Sequence, residues 1–365
     1  MFGNFFKRFG AKRRFLGVDI GTVNLKIVEV ASGKNPVLSN YGELGILYPE
    51  EKSFRIFEKD TLLLSDFDLA KAIQLICDEA KVQTREAIFS IPDFSSFFTT
   101  IELPTMSKEE VPQAIRYEVR PYVPVPLSEI ILDWVVTQGQ VGKTPLKILV
   151  VAIPNTIIKQ YKEIARISHL NLRVVEPEVF ALARSLRFLI RANSSQKAVA
   201  LIDIGARSTT CSILDDEVLK ISNSFNIGSI LLTEALARSL NIDYNKAEEV
   251  QISQGLALGD DGVTNKNIDV SQALIPLVNE MIEEIKKSAR SFFQTEGKDI
   301  DKIVLAGGAT FLPGLKEYFY KEFKKEVVVG NPFVNFSFNP ILKETLFKLG
   351  PSYAIAVGLA LKGFE

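Results

Sequence analysis

The tripeptide Asp-Ile-Gly occurs twice in this chain, each time between two runs of apolar residues. The first copy is Asp19-Ile20-Gly21 and the second is Asp203-Ile204-Gly205. A short polar turn between two strand-like runs is typical of a β-hairpin. Because the same hairpin occurs in both parts of the chain, the sequence predicts a repeated unit whose tip carries a carboxylate and a glycine.

The residues at the two hairpin tips have the chemistry of a phosphate site. Small hydroxyl or amide residues follow each glycine, so backbone N–H groups at the tips can converge on an anion. Asp19 and Asp203 can each hold a Mg²⁺ ion, usually through water. Two such hairpins that face each other would hold the phosphates of a nucleotide from both sides.

Composition limits the classes of function. The chain has 365 residues, of which 47% are hydrophobic, so it can bury a core in one large or two medium domains. A net charge of −1 argues against nucleic acid as a partner. The longest apolar runs, such as 148–153 and 355–361, are too short to span a bilayer. Cys77 and Cys211 have no metal-type partner in the sequence, which favours a reduced, cytoplasmic protein.

Residues 1–14 differ in composition from the rest of the chain. They contain five basic residues, four phenylalanines and no acidic residue. This mixture predicts contact with an anionic membrane surface or with a protein partner. A tail without fixed structure is the alternative, because the segment is short and contains glycines.

The motifs are specific through their order along the chain. The first hairpin is followed by Glu176-Pro177 at the start of a helix, then the second hairpin, then Gly307-Gly308 after a strand, then a final helix that contains Gly358. This order resembles the five nucleotide-site motifs of the superfamily that contains actin, sugar kinases and heat-shock chaperone ATPases. The resemblance implies an α/β fold of the actin-like, ribonuclease H-like duplicated type that binds ATP with Mg²⁺.

The resemblance assigns roles to residues that match its motifs. Its first phosphate motif corresponds to Asp19, Gly21, Thr22, Val23, Asn24 and Lys26, and its second to Asp203, Gly205, Ala206 and Ser208. The adenosine motif corresponds to Gly307, Gly308 and Ala309, and Gly228 matches a further glycine of close approach. Glu176 matches the residue that positions the attacking water, so the predicted catalytic set is Glu176, Asp203 and Asp19. Asp19 and Asp203 would hold Mg²⁺ through water.

One position departs from the superfamily pattern. Glu248 matches a glutamate that binds ribose in relatives, where a lysine often follows three positions later. Here that later position is Gln251. We therefore expect Glu248 to bind ribose without the neighbouring cation.

Residues 84–171 narrow the resemblance. They have the pattern of a ββαββα block inserted before the Glu176 helix, as in the division protein FtsA. The segments Leu103–Glu110 and Tyr122–Leu127 closely resemble the PilM family of type IV pilus assembly proteins. The division predicted on this basis is listed here: a tail at 1–14; subdomain 1A at 15–83, 172–196 and 345–365; the inserted, partner-binding subdomain 1C at 84–171; subdomain 2A at 197–225 and 300–344; and subdomain 2B at 226–299.

The resemblance to the PilM family also implies a function. It implies a cytoplasmic, ATP-binding scaffold, peripheral to the inner membrane, that binds the N-terminal cytoplasmic tail of PilN and links the inner-membrane platform to the pilus motor. Other platform or motor proteins are further expected partners. Any ATPase activity is expected to be slow at most, and whether ATP is hydrolysed stays open.

Two alternatives remain at this point. An FtsA-like cell-division filament protein is the first. A small-molecule kinase of the same superfamily is the second, and it is disfavoured because no substrate-pocket motif follows the first hairpin. For the PilN tail we predict a groove between the first half and the inserted block, lined by residues 87–91 and 94–98.

Overall fold

The computed structural model describes residues 13–45, 57–58, 61–62, 65–191, 198–256 and 268–365. Residues 1–12 of the predicted tail therefore lie outside the described residues. The strands are β1 (Arg14–Ile20), β2 (Asn24–Ala31), β3 (Val37–Gly45), β4 (Phe57–Glu58), β5 (Thr61–Leu62), β6 (Glu86–Ile91), β7 (Phe97–Leu103), β8 (Ile130–Gln138), β9 (Leu146–Pro154), β10 (Asn171–Pro177), β11 (Ala198–Ile204), β12 (Thr209–Asp215), β13 (Val218–Phe225), β14 (Lys302–Ala306) and β15 (Glu326–Val329). The α-helices are α1 (Asp66–Glu79), α2 (Val111–Glu118), α3 (Asn155–Ile167), α4 (Glu178–Ser185), α5 (Arg187–Ile190), α6 (Ser229–Leu240), α7 (Tyr244–Gln254), α8 (Ile268–Glu296), α9 (Leu315–Phe323) and α10 (Lys343–Lys362).

Two five-stranded sheets share one topology. The first has the order β10-β6-β1-β2-β3 and the second has the order β13-β12-β11-β14-β15. In each sheet the hairpin strand pairs antiparallel with its successor and parallel with a later strand on its other side. Strands β1 and β11 are almost wholly apolar, as expected for central strands covered on both faces. The predicted duplicated α/β fold is therefore confirmed.

The two hairpin turns are closed in the same way. The N–H of Gly21 donates to the carbonyl oxygen of Asn24 at 3.1 Å, and the N–H of Gly205 donates to that of Ser208 at 3.0 Å. Each turn thus leaves two residues at its tip, as the repeated motif predicts. The tips project from equivalent corners of the two sheets.

The two halves of the molecule share an apolar junction. Helix α10 packs on β1 and crosses α4, where a Cβ on Gly358 would lie 1.8 Å from the carbonyl oxygen of Ala181. Val179 and Leu182 of α4 belong to the same buried cluster as Val199 and Val304 of the second sheet. The glycine permits the close crossing, and the crossing holds α4 against both sheets.

The inserted part of the chain forms a third sheet, with the order β7-β9-β8 and with α2 packed on one face. Strand β6, the first strand of the predicted block, instead lies between β1 and β10 of the first sheet. Helix α3, its last element, packs with Tyr161 and Ile164 in the core of the first half. The structure thus places the inserted sheet at residues 97–154, a shorter span than the predicted 84–171.

The helices of the second half pack on the second sheet. Residues of α6 and α8 join those of β11 and β12 in one buried cluster, with Leu232, Leu236, Ile282 and Ile285 among its members. Among the described helices, none combines the length and apolar character needed to cross a bilayer.

Candidate nucleotide site

Four carboxylates lie at the edge where the two halves face each other. Strands β1, β6 and β10 are parallel neighbours, so their carboxyl ends meet at one edge of the first sheet. Asp19 lies near the end of β1, Asp93 follows β6 and Glu178 follows β10. Asp203 lies near the equivalent end of β11 in the second half. Each of these carboxylates raises the pKa of another of them or has its own pKa raised by another, so the four lie close together and form one acidic cluster.

Asp19 is held by its neighbours in the sheet. It is 4% exposed, and the hydroxyl of Ser90 on β6 donates to its Oδ1 at 2.9 Å. Lys26 lies opposite Asp19 across the β1–β2 pair. Burial raises the pKa of Asp19, while the Lys26 ammonium and the Ser90 hydrogen bond act in the opposite direction. The side chain is therefore fixed in place, and its charge is costly in the protein alone.

Asp93 and Glu178 each accept a hydrogen bond from a backbone N–H group at or next to the other residue. The N–H of Val179 donates to Asp93 Oδ1 at 3.2 Å, and the N–H of Asp93 donates to Glu178 Oε2 at 3.2 Å. Burial raises the pKa of Asp93 to about 7, and the Asp203 carboxylate adds to this effect. The pKa of Glu178 is raised well above its usual range by burial, followed by Asp93, Asp19 and Asp203.

Asp203 completes the acidic cluster from the second half. Burial raises its pKa to about 6, the Asp19 carboxylate raises it further, and Lys26 lowers it. Lys26 thus acts on one carboxylate from each half. Four carboxylates against this one ammonium make an environment that a bound cation would stabilise.

The acidic cluster fits a hydrated Mg²⁺ ion. In the described part of the chain, no three acidic, histidine or cysteine side chains are placed so that they could hold a metal ion directly. Mg²⁺ keeps several of its waters and takes only one or two carboxylates from the protein. Tyr161, whose buried hydroxyl has no hydrogen-bond partner among the described residues, feels the charges of Glu178 and Asp19. Carboxylates that bind the ion through its water molecules fit this site, and one of those waters can bond to the Tyr161 hydroxyl.

The second hairpin tip is supported from behind by α6. The N–H groups of Ser229 and Ile230 donate to the carbonyl oxygens of Gly205 and Ala206 at 3.0 and 2.9 Å. A Cβ on Gly228 would lie 2.5 Å from the carbonyl oxygen of Ala206. The close approach predicted at Gly228 is therefore made to the hairpin backbone, which it keeps in place.

An aromatic contact spans the two halves beside this tip. The Arg207 guanidinium lies over the ring of Phe94, 4.7 Å from its centroid. Phe94 follows Asp93 directly in the chain, so the contact joins the acidic cluster of the first half to the second hairpin. Such a contact stabilises a closed arrangement of the two halves.

The Gly307-Gly308 turn has room for a flat ligand. Gly307 has a φ of +90°, and a Cβ there would lie 2.5 Å from Asp203 Oδ1. A Cβ on Gly308 would have its nearest neighbour at 4.0 Å, on Ser352, and so would point into open space. Ala309 is buried. Gly307 thus lies against Asp203, while the backbone of Gly308 borders open space.

Glu176 lies on β10 opposite Ser90 and forms an ion pair with Arg184. Both of its carboxylate oxygens accept from Arg184, at 2.5 and 3.1 Å. Arg184 also donates to the carbonyl oxygen of Gly358 and to Glu365, which ties α4 to α10. Glu176 is thus part of the junction between elements, and the carboxylate that faces the cluster from this motif is Glu178, two residues later. The water-positioning role of Glu176 stays a prediction, and in this structure both of its oxygens are bound by Arg184.

Glu248 and Gln251 of α7 lie in different environments. Glu248 is exposed. Gln251 is 6% exposed and accepts from the hydroxyl of Thr233 at 2.5 Å, within the α6–α7 pair. At the position where relatives often carry a lysine, this chain therefore has a buried amide that joins two helices.

Four residues of the site were not anticipated from the sequence. They are Ser90, Asp93, Tyr161 and Glu178. Ser90 and Asp93 flank the Ile-Pro pair at the end of β6, so polar residues at the carboxyl end of a parallel strand were an available signal. Tyr161 lies on the apolar stripe of a helix and carries no such signal.

The duplicated sheet with its paired hairpins defines an actin-like fold. Comparison with solved structures agrees: MreB5 of Spiroplasma citri bound to ADP has a TM-score of 0.55 at 12% identity, with 97% of this chain and 96% of that one covered. The ethanolamine utilization protein EutJ from Carboxydothermus hydrogenoformans has a TM-score of 0.56 at 13% identity, covering 96% and 90%. These two likenesses concern the fold alone.

A more specific likeness is to a PilM-PilN type IV pilus biogenesis complex. Its TM-score is 0.83 at 25% identity, and it covers 96% of this chain and 98% of that one. The family profile described as type IV pilus assembly protein PilM matches residues 17–364. This chain therefore belongs to the PilM family.

Curated relatives confirm the link to FtsA. The cell division protein FtsA of Agrobacterium fabrum is 26% identical over 233 residues, which are 58% of this chain and 50% of that protein. FtsA of Rhizobium meliloti is 29% identical over 181 residues, 44% of this chain and 39% of that one. The chain spans about half the length of the curated relatives it matches.

Proposed function

We propose that this chain is an ATP-binding scaffold of type IV pilus assembly that binds the N-terminal cytoplasmic tail of PilN and links the inner-membrane platform to the pilus motor. The observation that carries the proposal is the acidic cluster with Lys26, set between two equivalent hairpin tips. The family membership adds the pilus context. In this arrangement nucleotide holds the two halves together, and hydrolysis is slow.

The residues would divide the work of nucleotide binding. Backbone N–H groups of Thr22 and Val23 at the first tip, and of Ala206 at the second, face the phosphates. Lys26 places its ammonium on a phosphate oxygen, and Gly308 accommodates the base and ribose. Asp19 and Asp203 hold hydrated Mg²⁺, which would neutralise phosphate charge when bound.

Glu178 is the carboxylate best placed to act on water. Its raised pKa is the property expected of a group that accepts a proton near neutral pH. We therefore transfer to Glu178 the role that the sequence assigned to Glu176. Its hydrogen bond from the Asp93 backbone fixes its orientation.

The PilN tail would bind at the junction of the inserted sheet and the first half. Ile131 and Val135 of β8 are 44% and 54% exposed. They lie opposite Ile153 and Leu149 of β9, whose side chains pack on the body of the molecule. An extended apolar tail can cover this strip and pair with the open edge of β8 through main-chain hydrogen bonds.

The groove proposed here differs from the one expected from the sequence. Residues 87–91 are buried in the middle of the first sheet and offer no open surface. Phe98 packs against Phe180 in the core. We therefore propose β8 as the peptide site.

Nucleotide binding is tested by calorimetry with ATP and Mg²⁺. Lys26→Ala removes a charge-assisted contact to phosphate, so affinity should fall by about 1.5–3 kcal/mol. Lys316→Ala removes an exposed lysine of α9 and serves as the control that keeps wild-type affinity. Equal affinities for the two variants would rule out this site, whereas PilN capture is scored separately with the same proteins.

A further inference from the structure

Four arginines cluster at the edge of the first sheet that is opposite to the acidic cluster. Arg14 lies at the amino end of β1, and Arg13 immediately precedes it. Arg85 immediately precedes β6. The pairing of Leu16 with Ala87 sets Arg14 beside Arg85 in the sheet. Arg173 of β10 lies at an irregularity in its pairing with β6, between Leu172 and Val174, and is exposed.

Three of the four arginines line a cavity of about 550 Å³. Its lining includes Arg13, Arg14 and Arg173 with one carboxylate, Glu86, and the ring of Phe15. Arg173 is paired with Glu86, and Arg14 with the buried Glu29 at 3.7 Å. The lining is thus basic and partly aromatic.

The other two arginines bond to neutral atoms. Arg13 donates to the carbonyl oxygen of Gly363 and lies over Phe15, while Arg85 donates to the carbonyl oxygen of His169. Among the ion pairs of the described residues, Arg14 and Arg173 are paired with Glu29 and Glu86, whereas Arg13 and Arg85 bond to carbonyl oxygens. In a chain whose net charge is −1, this separates positive charge at one edge of the first sheet from the acidic cluster at the other.

The sequence that precedes Arg13 has a similar composition. Residues 1–12 contain Lys7, Arg8 and Lys12 and four phenylalanines, and they join the folded chain at Arg13. Basic residues together with large aromatic residues favour the interface of an anionic bilayer. The charge and the aromatic content thus fit a phospholipid surface.

We propose that this edge, defined by Arg13, Arg14, Arg85 and Arg173, is a docking surface for an anionic phospholipid membrane. Strand β1 has seven residues, so its two ends lie about 20 Å apart. The nucleotide cleft would therefore remain open while this edge rests on lipid headgroups. The inference does not depend on ATP or PilN binding.

Co-sedimentation with vesicles tests the proposal on the full chain. We expect binding to phosphatidylglycerol–phosphatidylcholine vesicles, no binding to pure phosphatidylcholine vesicles, and weaker binding as salt is raised. The triple substitution Arg13→Gln, Arg85→Gln and Arg173→Gln should lower the affinity by about fivefold per arginine and roughly 100-fold in total. Arg14 is kept, because it pairs with buried Glu29.

A charge-matched control comes from the second half. Lys246→Gln, Lys316→Gln and Lys321→Gln remove three exposed lysines and should leave vesicle binding unchanged. Urea unfolding with a midpoint unchanged in both triple variants would show that they are folded. Equal vesicle binding by the two variants would overturn the proposal, as would absence of binding by the wild type. Displacement by inorganic phosphate, but not by chloride of equal ionic strength, would also overturn it in favour of a free-phosphate site.

Discussion

At the scale of single residues, Glu176 and Glu178 differ in what they contact, although they are two positions apart. Glu176 is neutralised by Arg184 in the junction of α4 and α10. Glu178 is surrounded by carboxylates and has a raised pKa. We therefore expect Glu176 to act as a structural ion-pair partner and Glu178 to accept a proton.

This difference predicts opposite effects of two similar substitutions. Glu178→Gln should lower the single-turnover rate of ATP hydrolysis by about 10²-fold or more, because a general base is removed, with little loss of stability. Glu176→Gln should leave the rate intact and lower the free energy of unfolding by about 3 kcal/mol, because Arg184 loses the more buried of its two carboxylate partners. Single-turnover assays and urea unfolding measure the two quantities; a rate effect confined to Glu176→Gln would restore the assignment made from sequence.

The raised pKa of Asp93 predicts a pH effect on stability. Its pKa rises from 3.8 to about 7 on folding, so the unfolded chain releases this proton first. The loss of folding free energy that ionised Asp93 causes is absent below about pH 3.8. It grows as the pH rises and is complete above about pH 7. Asp93→Asn keeps an oxygen to accept from Val179 and removes the charge, so it should raise stability by roughly 2–4 kcal/mol at pH 8.

The measurement is thermal or urea unfolding of the nucleotide-free protein at pH 5 and pH 8. The gain from Asp93→Asn should be larger at pH 8 than at pH 5. Asp133→Asn, at an exposed carboxylate of β8, is the matched control. A gain that is equal at both pH values would show that ionised Asp93 carries no cost.

At the scale of elements, the sequence predicts the two hairpins, the Gly-Gly turn and the final helix because glycine and aspartate positions at strand ends leave a clear local pattern. It does not predict which sheet β6 joins. A run of buried residues such as 87–91 looks the same in either sheet, and its neighbours are set by strands far away in the chain. Nor does it separate Glu176 from Glu178, since both flank Pro177 and only the packing of Arg184 decides between them.

Two glycines test how elements meet. Gly358→Ala would force apart α10 and α4, where a Cβ lies 1.8 Å from Ala181 O, and should cost about 1–3 kcal/mol of stability. Gly308→Ala meets nothing closer than 4.0 Å, so stability should be kept while ATP affinity falls by about 1–2 kcal/mol because of the methyl group at the base. Urea unfolding and calorimetry distinguish them, and a stable Gly358→Ala protein would contradict the close crossing.

At the scale of the whole molecule, an ion-pair cluster joins the inserted sheet to the second half. Lys147 of β9 and Lys220 of β13 both donate to Glu296 at the end of α8, at 2.8 and 3.2 Å. All three are mostly buried, with side chains 21%, 7% and 11% exposed. Since ATP would fix the two halves relative to each other, this cluster can transmit that arrangement to the inserted sheet and hence to the PilN groove.

The cluster predicts coupling between ATP and the PilN tail. In the wild type, ATP should raise the affinity for the tail, by the 1–3 kcal/mol typical of coupled sites. Lys147→Met removes the contact of the inserted sheet to Glu296. It should abolish most of the increase in tail affinity that ATP causes, while ATP affinity in the absence of the tail stays unchanged. Lys220→Met removes a contact to Glu296 that lies within the second half. The increase in tail affinity with ATP should remain, although each variant loses one contact to Glu296.

Calorimetric titration of a PilN-tail peptide, with and without ATP, measures the coupling in each variant. Linkage requires the tail to raise ATP affinity by the same factor, so the reverse titration checks every value. Val135→Asp, on the exposed strip of β8, should lower the affinity for the PilN-tail peptide both with and without ATP. This result would locate the proposed groove on β8. If Lys147→Met and Lys220→Met reduced the coupling equally, the bridge between the inserted sheet and the second half would not be its route, because only Lys147 spans the two.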